Sequence, residues 1–430
     1  MPDPGLRVGV AFGGRSVEHD VSIITGLQAL GVLAERHRPV PIYLSRSGRW
    51  YTGEELRDLE TYRQGGPDGR LPAQEVHFDL HNGRLLTATR GGGAERHAER
   101  RGGGERRGGG AERRGGLLGG RLGQRGRVSQ GAPGGEWGGE AIALDAVVLA
   151  THGTQGEDGC LAGALELARV PYAGSSVGAA AATMDKVTTK AILAQAGLPA
   201  LDHLALRRDE WESDRAATVA RVAQRLGVPL YLKPASLGSS VGVSRCTDER
   251  ELDQALELGF ELDRVCLAEP ALEGGREINC AVLGRPGIPP RVSVCEQPIA
   301  HQEFLSFDDK YMRGHKGEGM KGAQRLIPAP LDQELTRRIQ ALACRAFAAF
   351  ACAGVARVDF LLDSHHNIYV NELNTIPGSF SFYLWEPSGL PFVTLMDELL
   401  DIALAEARES SRTTTVFDTN LLAQRAGAKA

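Results

Sequence analysis

Arg357-Val358-Asp359-Phe360-Leu361-Leu362 and Ile368-Tyr369-Val370-Asn371-Glu372-Leu373-Asn374-Thr375-Ile376-Pro377-Gly378 are separated only by the polar residues 363–367. Both runs are rich in β-branched and aromatic residues, and the Asp/Ser/His/Asn segment between them favours a turn. A hairpin or close antiparallel pair is predicted. Side chains alternate faces along a strand, so Arg357 and Asp359 share one face of the first strand and Glu372 and Asn374 share one face of the second. A turn near Ser364 and His365 sets Asp359 roughly opposite Glu372. Facing carboxylates repel unless a cation lies between them, and Asp, Glu and Asn supply the oxygen ligands that Mg²⁺ takes beside nucleotide phosphates. The same residues also fit a solvated hairpin face, with Asn371 and Asn374 capping the strand end.

Upstream, a helical stretch over 179–196 carries Asp185, Lys186 and Lys190, the two lysines four apart on one face. A helix ending near Leu226, a strand over 230–234 and the loop Ala235-Ser236-Leu237-Gly238-Ser239-Ser240-Val241-Gly242 follow. Glycines and serines between two strands leave backbone N–H groups and hydroxyls able to wrap oxyanions, with Lys233 supplying charge at the strand end. A phosphate cradle and an ordinary glycine-serine hairpin both fit that loop; the upstream lysines favour the cradle. A strand over 264–267 is followed by Glu269-Pro270-Ala271-Leu272, a link between sheets suited to gripping a base through its backbone. Residues 276–283 read as a strand with Glu277 at its start. The glycine- and charge-rich residues 304–324 read either as a disordered segment or as a lid that would bring Lys310 and Tyr311 over a ligand. An amphipathic helix over 331–352 is expected behind the hairpin, and a helix over 390–405 closes the core.

At the N-terminus, residues 6–12 read as a buried strand, Gly13-Gly14-Arg15-Ser16 as a turn, 18–33 as a helix and 40–44 as a second strand. That order predicts an α/β domain with its chemistry at the strands' carboxyl ends. The spacing is not that of the dinucleotide fingerprint. A strand over 143–150 delivers His152-Gly153-Thr154-Gln155-Gly156-Glu157-Asp158-Gly159 to the edge that carries Glu18, and a helix over 160–168 follows. Residues 90–139 are different: repeated Gly-Gly-Gly units with Ala, Glu, Arg and His have almost nothing to bury against the entropy of ordering glycine. They read as a disordered insertion. Its arginines fit either weak binding to RNA or an anionic surface, or a tolerated surface loop.

A chain of 430 residues exceeds one ordinary core and implies two or three domains. A net charge of −5 gives no reason to expect nucleic acid as the main partner. Seven cysteines without a CxxC pair argue against a metal cluster or disulfide framework and suit a reducing cytoplasm. No transmembrane span or export signal is expected.

Together these segments resemble the D-alanine–D-alanine ligases of the ATP-grasp superfamily. The resemblance rests on Gly13 to His19, His152 to Gly159, Met184-Asp185-Lys186, Lys233 to Gly242, Gly275-Arg276-Glu277, Asp309-Lys310-Tyr311, Arg357-Val358-Asp359 and Asn371 to Gly378, in family order. It implies an α/β, three-domain ATP-grasp fold with an N-terminal Rossmann-like (pre-ATP-grasp) domain. That domain would span 1–172, interrupted by the insert at 90–139. A central subdomain would span 173–270, a C-terminal subdomain with lid and metal site 271–409, and a tail 410–430.

The resemblance further implies ATP and two Mg²⁺ ions, which Mn²⁺ can replace, with Asp359, Glu372 and Asn374 as metal ligands and Glu372 bridging. Lys186, Lys233, Ser239 and Ser240 would bind phosphates, Glu269, Leu272 and Glu277 adenine and ribose, and Lys310 the transferring phosphoryl group. Glu18 would hold the first D-alanine and join Ser239 and Tyr311 in a closing network. His152 would lie near the substrate, and Arg357 with the Gly378 amide would stabilise the oxyanion. The implied activity is ADP-forming synthesis of D-alanyl-D-alanine for peptidoglycan, by a cytoplasmic homodimer that needs neither membrane nor nucleic acid.

The chain departs from the family after Gly378. Phe380 stands where threonine is expected and Tyr383 where a serine holds the acceptor carboxylate; Tyr383 or Ser381 would take that place. Pro270 replaces a frequent lysine in the base-gripping segment. Retention of Tyr311 favours D-alanine over D-lactate as acceptor. The alternatives are a ligase with D-lactate or D-serine as acceptor and, more distantly, an RNA-associated protein acting through the Arg/Gly insert.

Overall fold

The computed structural model describes residues 5–63, 73–88, 137–272, 274–299 and 325–416. Three sheets carry the fold. The first has eight strands in the order β6-β5-β4-β3-β2-β1-β7-β8. These are β1 (Arg7–Gly13), β2 (Arg38–Leu44), β3 (Trp50–Thr52), β4 (Gln74–Asp79), β5 (Arg84–Ala88), β6 (Trp137–Ala143), β7 (Ala146–Leu149) and β8 (Tyr172–Ala173). β2, β1, β7 and β8 run parallel, whereas β3 to β6 extend the sheet as antiparallel neighbours. β1 is apolar and buried from its second residue because both its faces are covered. Helix His19–Leu33 lies so close to it that a Cβ on Gly26 would stand 2.4 Å from the Phe12 ring, so glycine sets that approach.

The second sheet is antiparallel, ordered β11-β10-β12-β9, from β9 (Leu204–Arg207), β10 (Leu230–Pro234), β11 (Ser244–Cys246) and β12 (Val265–Pro270). Helices Arg215–Leu226 and Glu249–Leu262 turn Val219, Val222, Leu252, Leu256 and Phe260 onto its core. The third sheet, β15-β14-β13-β16-β17, contains β13 (Arg276–Gly284), β14 (Arg291–Pro298), β15 (Arg325–Leu326), β16 (Gly354–Leu362) and β17 (Ile368–Asn374). Helix Gln333–Ala349 covers one face through Leu335, Ile339, Ala343 and Phe347, which is the backing expected for the hairpin.

Several boundaries differ from those the sequence suggests. The expected strand over 143–150 is two strands: β6 pairs with β5 at the sheet edge, and only β7 joins the parallel centre. Trp137 to Gly139, assigned to the insert, therefore belong to β6. The helix over 179–196 is two helices, Val177–Met184 and Lys186–Gln195. Asp185 between them is extended, and its carboxylate caps the second by accepting the Thr188 N–H. Glu269 lies inside β12 rather than in a link beyond it. The last helix, Phe392–Ser411, runs past 405 and into the expected tail. β3, β4, β5, β8, β9, β14 and β15 have no counterpart among the expected strands. All seven cysteines are free thiols. Among the described residues no helix is long and apolar enough to cross a membrane.

Candidate active site

β16 and β17 pair antiparallel with Asp359 opposite Glu372 and Arg357 opposite Asn374, as the alternation of side chains predicts. A bulge follows Asp359 in that ladder, a common device for re-aiming a side chain beside a site. The Asp359 carboxylate is 1% exposed. It accepts from Arg357 Nε at 2.6 Å, Arg357 Nη2 at 2.7 Å and Asn374 Nδ2 at 3.0 Å. Burial pushes its pKa up to about 6, against the pull of the Arg357 guanidinium. Glu372 adds to that rise from across the ladder. A buried carboxylate raised by desolvation and by a facing carboxylate is the setting a divalent cation relieves, and two carboxylates with an amide form a hard-oxygen donor set. No group of three His, Cys, Asp or Glu side chains suited to a metal occurs among the described residues.

β10 brings Lys233, which precedes the Gly-Ser loop, to the same place. Lys233 Nζ donates to Glu269 Oε2 at 2.6 Å and to Asn371 Oδ1 at 3.2 Å, one residue from Glu372. Burial opposes the Lys233 charge, but Glu269 outweighs it and the pKa stands above that of an ordinary lysine. Lys186 Nζ donates to the Leu237 carbonyl at 2.6 Å and lies 3.9 Å from Glu372 Oε2. Desolvation lowers its pKa while Glu372 resists. In the loop, Ser239 and Ser240 take φ of 51° and 61°, a conformation held against the preference of L residues.

Glu18, just after β1, accepts at Oε1 from Ser239 Oγ across 221 residues of sequence. A Cβ on Gly153 or Gly238 would stand 2.7 Å or 3.0 Å from Glu18 Oε2, so two glycines make room for that carboxylate. His152 pairs through Nε2 with Thr25 Oγ1 at 2.9 Å, and Thr25 Oγ1 accepts the Ser379 N–H at 3.2 Å. His152 Nδ1 lies 3.4 Å from Glu157 Oε1. The β1 and β7 edge is thereby tied both to the Gly-Ser loop after β10 and to the segment after β17.

The sequence matches the D-ala D-ala ligase N-terminus family model over residues 7–175 and the D-ala D-ala ligase C-terminus model over residues 192–401. The chain belongs to the D-alanine–D-alanine ligase family. It is 32% identical over 417 residues to the D-alanine–D-alanine ligase of Thermosipho africanus, covering 97% of this chain and 98% of that one. To D-alanine–D-alanine ligase A of Salmonella typhimurium it is 34% identical over 404 residues, covering 93% and 96%. The solved D-alanine–D-alanine ligase of Coxiella burnetii superposes with a TM-score of 0.71 at 27% identity, over 95% of this chain and 97% of that one. A D-Ala:D-Ser ligase from Enterococcus faecalis superposes with a TM-score of 0.69 at 25% identity, over 93% and 100%. The protein is an enzyme with the ATP-grasp fold and D-alanine–D-alanine ligase activity.

The sequence departs from the expected family pattern in the segment after β17. Gly378–Ser381 forms a short turn whose Ser379, Phe380 and Ser381 all take positive φ, 53°, 54° and 51°. Phe380, in the expected threonine position, packs into the core against Phe392. The Tyr383 hydroxyl donates to Glu296 Oε1 at 3.1 Å, and the Arg325 guanidinium lies 4.3 Å over its ring. Tyr383 is thus engaged within the protein. The buried hydroxyls of Ser379 and Ser381 have no hydrogen-bond partner among the described residues.

Leu272 and Glu277 flank the turn from β12 to β13, both half-buried. The Glu269 carboxylate is buried between lysines, so any contact with a base falls to its backbone. Lys310 and Tyr311 lie outside the described residues. Sequence reasoning missed Glu296, Asn279, Arg325 and Thr25. Asn279 Nδ2 and Arg325 Nη1 each lie 3.2 Å from the buried Glu296 carboxylate. The available signal was a glutamate directly after the mostly apolar run Val292-Ser293-Val294-Cys295.

Proposed function

We propose that this site makes D-alanyl-D-alanine through a D-alanyl phosphate, converting ATP to ADP and phosphate. The observation that supports it most directly is the approach of Lys186 Nζ to within 3.9 Å of Glu372 Oε2, a phosphate-binding lysine beside a metal-binding carboxylate. An amine cannot displace oxide from a carboxylate. One oxygen of the first D-alanine carboxylate therefore attacks the γ-phosphorus, the bond to ADP breaks, and an acyl phosphate forms. The amine of the second D-alanine then attacks the acyl carbon, gives up a proton, and phosphate departs.

Glu18 holds the first ammonium, with His152 beside it. Lys186, Lys233, Ser239 and Ser240 hold the phosphates, Leu272, Glu277 and the Glu269 backbone meet adenine and ribose, and Lys310 meets the phosphoryl group in flight. Arg357 and the Gly378 amide face the oxyanion of the tetrahedral intermediate. Tyr311, with Glu18 and Ser239, closes the site so that water does not intercept the acyl phosphate. Asp359, Glu372 and Asn374 would hold two Mg²⁺ ions, with Glu372 shared and Mn²⁺ as substitute. When bound, the ions offset charge on the phosphoryl oxygens. A role in peptidoglycan precursor synthesis, a cytoplasmic location and a homodimeric assembly belong to the same reading, supported by family membership.

The test supplies the full chain with ATP, Mg²⁺ and in turn D-alanine, D-serine and D-lactate, following phosphate release and product mass. D-alanyl-D-alanine is the expected product. No phosphate release with D-alanine would sink the reading, and a faster mixed product with D-serine or D-lactate would reassign the acceptor.

A further inference from the structure

Helix Lys186–Gln195 presents two lysines on one face, and the reaction above uses only the first. The second, Lys190, is 2% exposed. Its Nζ lies 2.5 Å from Oε1 of Glu269, while the other oxygen of that carboxylate accepts from Lys233 Nζ at 2.6 Å. One buried anion therefore sits between two ammonium groups delivered by different elements, the helix and the end of β10. Burial weakens the Lys190 charge and Glu269 opposes that loss. Burial likewise opposes the Glu269 charge, but Lys233 and Lys190 hold its carboxyl down at about 2.

Desolvating a second lysine is costly, and a one-to-one pair of Lys233 with Glu269 would already satisfy both charges. Such a pair is neutral, however, and offers a phosphate little attraction. With both lysines protonated the trio carries a net charge of +1. Lys233 also reaches Asn371 at 3.2 Å, so the surplus charge is oriented towards β17 and the Glu372 carboxylate.

We propose that Lys190 is a positioning residue for ATP: by occupying one oxygen of Glu269 it leaves the Lys233 ammonium net cationic and fixed towards the nucleotide phosphates. Glu269 then serves as the shared anion that locates both lysines, not as a side chain that reads the base. The inference rests on the reading of Lys233 as a phosphate ligand.

The test varies ATP and D-alanine separately in the full chain. Lys190→Met should raise the KM for ATP at least tenfold, with kcat at saturating ATP and the KM for D-alanine within threefold of the parent. Lys190→Met combined with Glu269→Gln leaves Lys233 as the only charge of the trio, restores +1, and should bring the KM for ATP back to within threefold. An unchanged KM for ATP in the single variant overturns the proposal. So does a loss in all three parameters that the double variant fails to rescue, because that pattern marks Lys190 as packing alone. Should Lys190→Met not fold, a folded double variant with a tenfold raised KM for ATP overturns the proposal equally. Were the parent itself inactive with D-alanine, the functional reading would fail separately, and the same three proteins compared by calorimetric ATP binding would still decide the role of Lys190.

Discussion

The Arg357 guanidinium closes both of its forked hydrogen bonds on the Asp359 carboxylate, two residues along the same face of β16. The proposed oxyanion-stabilising residue is thus anchored by a proposed metal ligand. A bidentate fork of this kind fixes the guanidinium plane as well as its position. Lysine has no such geometry to offer. Arg357→Lys should lower kcat by about a hundredfold to a thousandfold, the range seen when one oxyanion donor is lost. The KM for ATP should stay within about threefold, since no uniform binding is removed. Single-turnover and steady-state rates would measure this, and a normal chemical step would take Arg357 out of its assigned role.

Asp359 predicts a pH dependence. Burial raises its pKa from 3.8 to about 6. Below about pH 6 the metal-free protein therefore holds a proton that Mg²⁺ must displace. Metal affinity should fall as pH drops through 6 and level off above it. Calorimetry in two buffers of different ionisation enthalpy should detect proton release near pH 6 that fades by pH 8. Affinity that is flat from pH 5 to 7.5 would remove Asp359 as the titrating ligand.

Ser239 and Glu18 join the loop after β10 to the segment after β1. A hydrogen bond to a charged group is worth about 1.5–3 kcal/mol, so Ser239→Ala should lower kcat/KM for D-alanine by roughly tenfold to a hundredfold. Because Ser239 is also a proposed phosphate ligand, a double-mutant cycle with Glu18→Gln isolates the contact. Additive losses would mean that the two residues act independently.

How much of this was legible depended on whether a residue's neighbour was local. The facing of Asp359 and Glu372 followed from a period of two and a five-residue turn, and the ladder has that register. Lys233 at the end of a strand and the Gly-Ser loop after it were equally readable. The break at Asp185 was harder: Ala and Thr on both sides suit one continuous helix, and only the capping bond to Thr188 reveals the interruption. Glu296 stood out only as a glutamate after an apolar run; its role was hidden because its partners Asn279, Arg325 and Tyr383 lie on three other elements. Lys190 was seen to share a face with Lys186, but its counter-ion Glu269 is 79 residues on, in a strand read as ending two residues earlier.

The acceptor pocket separates two residues that the sequence left as alternatives. Tyr383 is engaged with Glu296, whereas the Ser381 hydroxyl is buried without a partner among the described residues. Ser381→Ala should raise the KM for the second D-alanine about tenfold, the worth of a hydrogen bond to a carboxylate. Tyr383→Phe should leave that KM within about twofold and lower stability by about 1–2 kcal/mol, because it strips one donor from a buried carboxylate. Its burial also pushes the phenol up to about 12, so the hydroxyl stays protonated through the assay range. The reverse pattern, with Tyr383→Phe alone affecting the acceptor, would return the role to Tyr383.

The glycine/arginine segment sits between adjacent antiparallel strands, with Ala88 opposite Trp137 at the outer edge of the first sheet. That edge is separated from β1 by β5, β4, β3 and β2, whereas Glu18 and His152 follow β1 and β7. Strand partners lie about 5 Å apart, a gap that a short turn spans. Lengthening such a connection costs only about 0.6 kcal/mol per doubling, so a long insert is tolerated there. Replacing residues 91–134 by a Gly/Ser turn, which keeps Trp137 and the rest of β6, should leave kcat and both KM values within about twofold; a longer deletion through 138 would cut into β6. Any retention on RNA or anionic vesicles should disappear with the segment. A folded deletion variant that no longer makes dipeptide would mean that the segment orders the Glu18 and His152 edge from outside the sheet, and its position at β6 would then need a contact reaching across four strands.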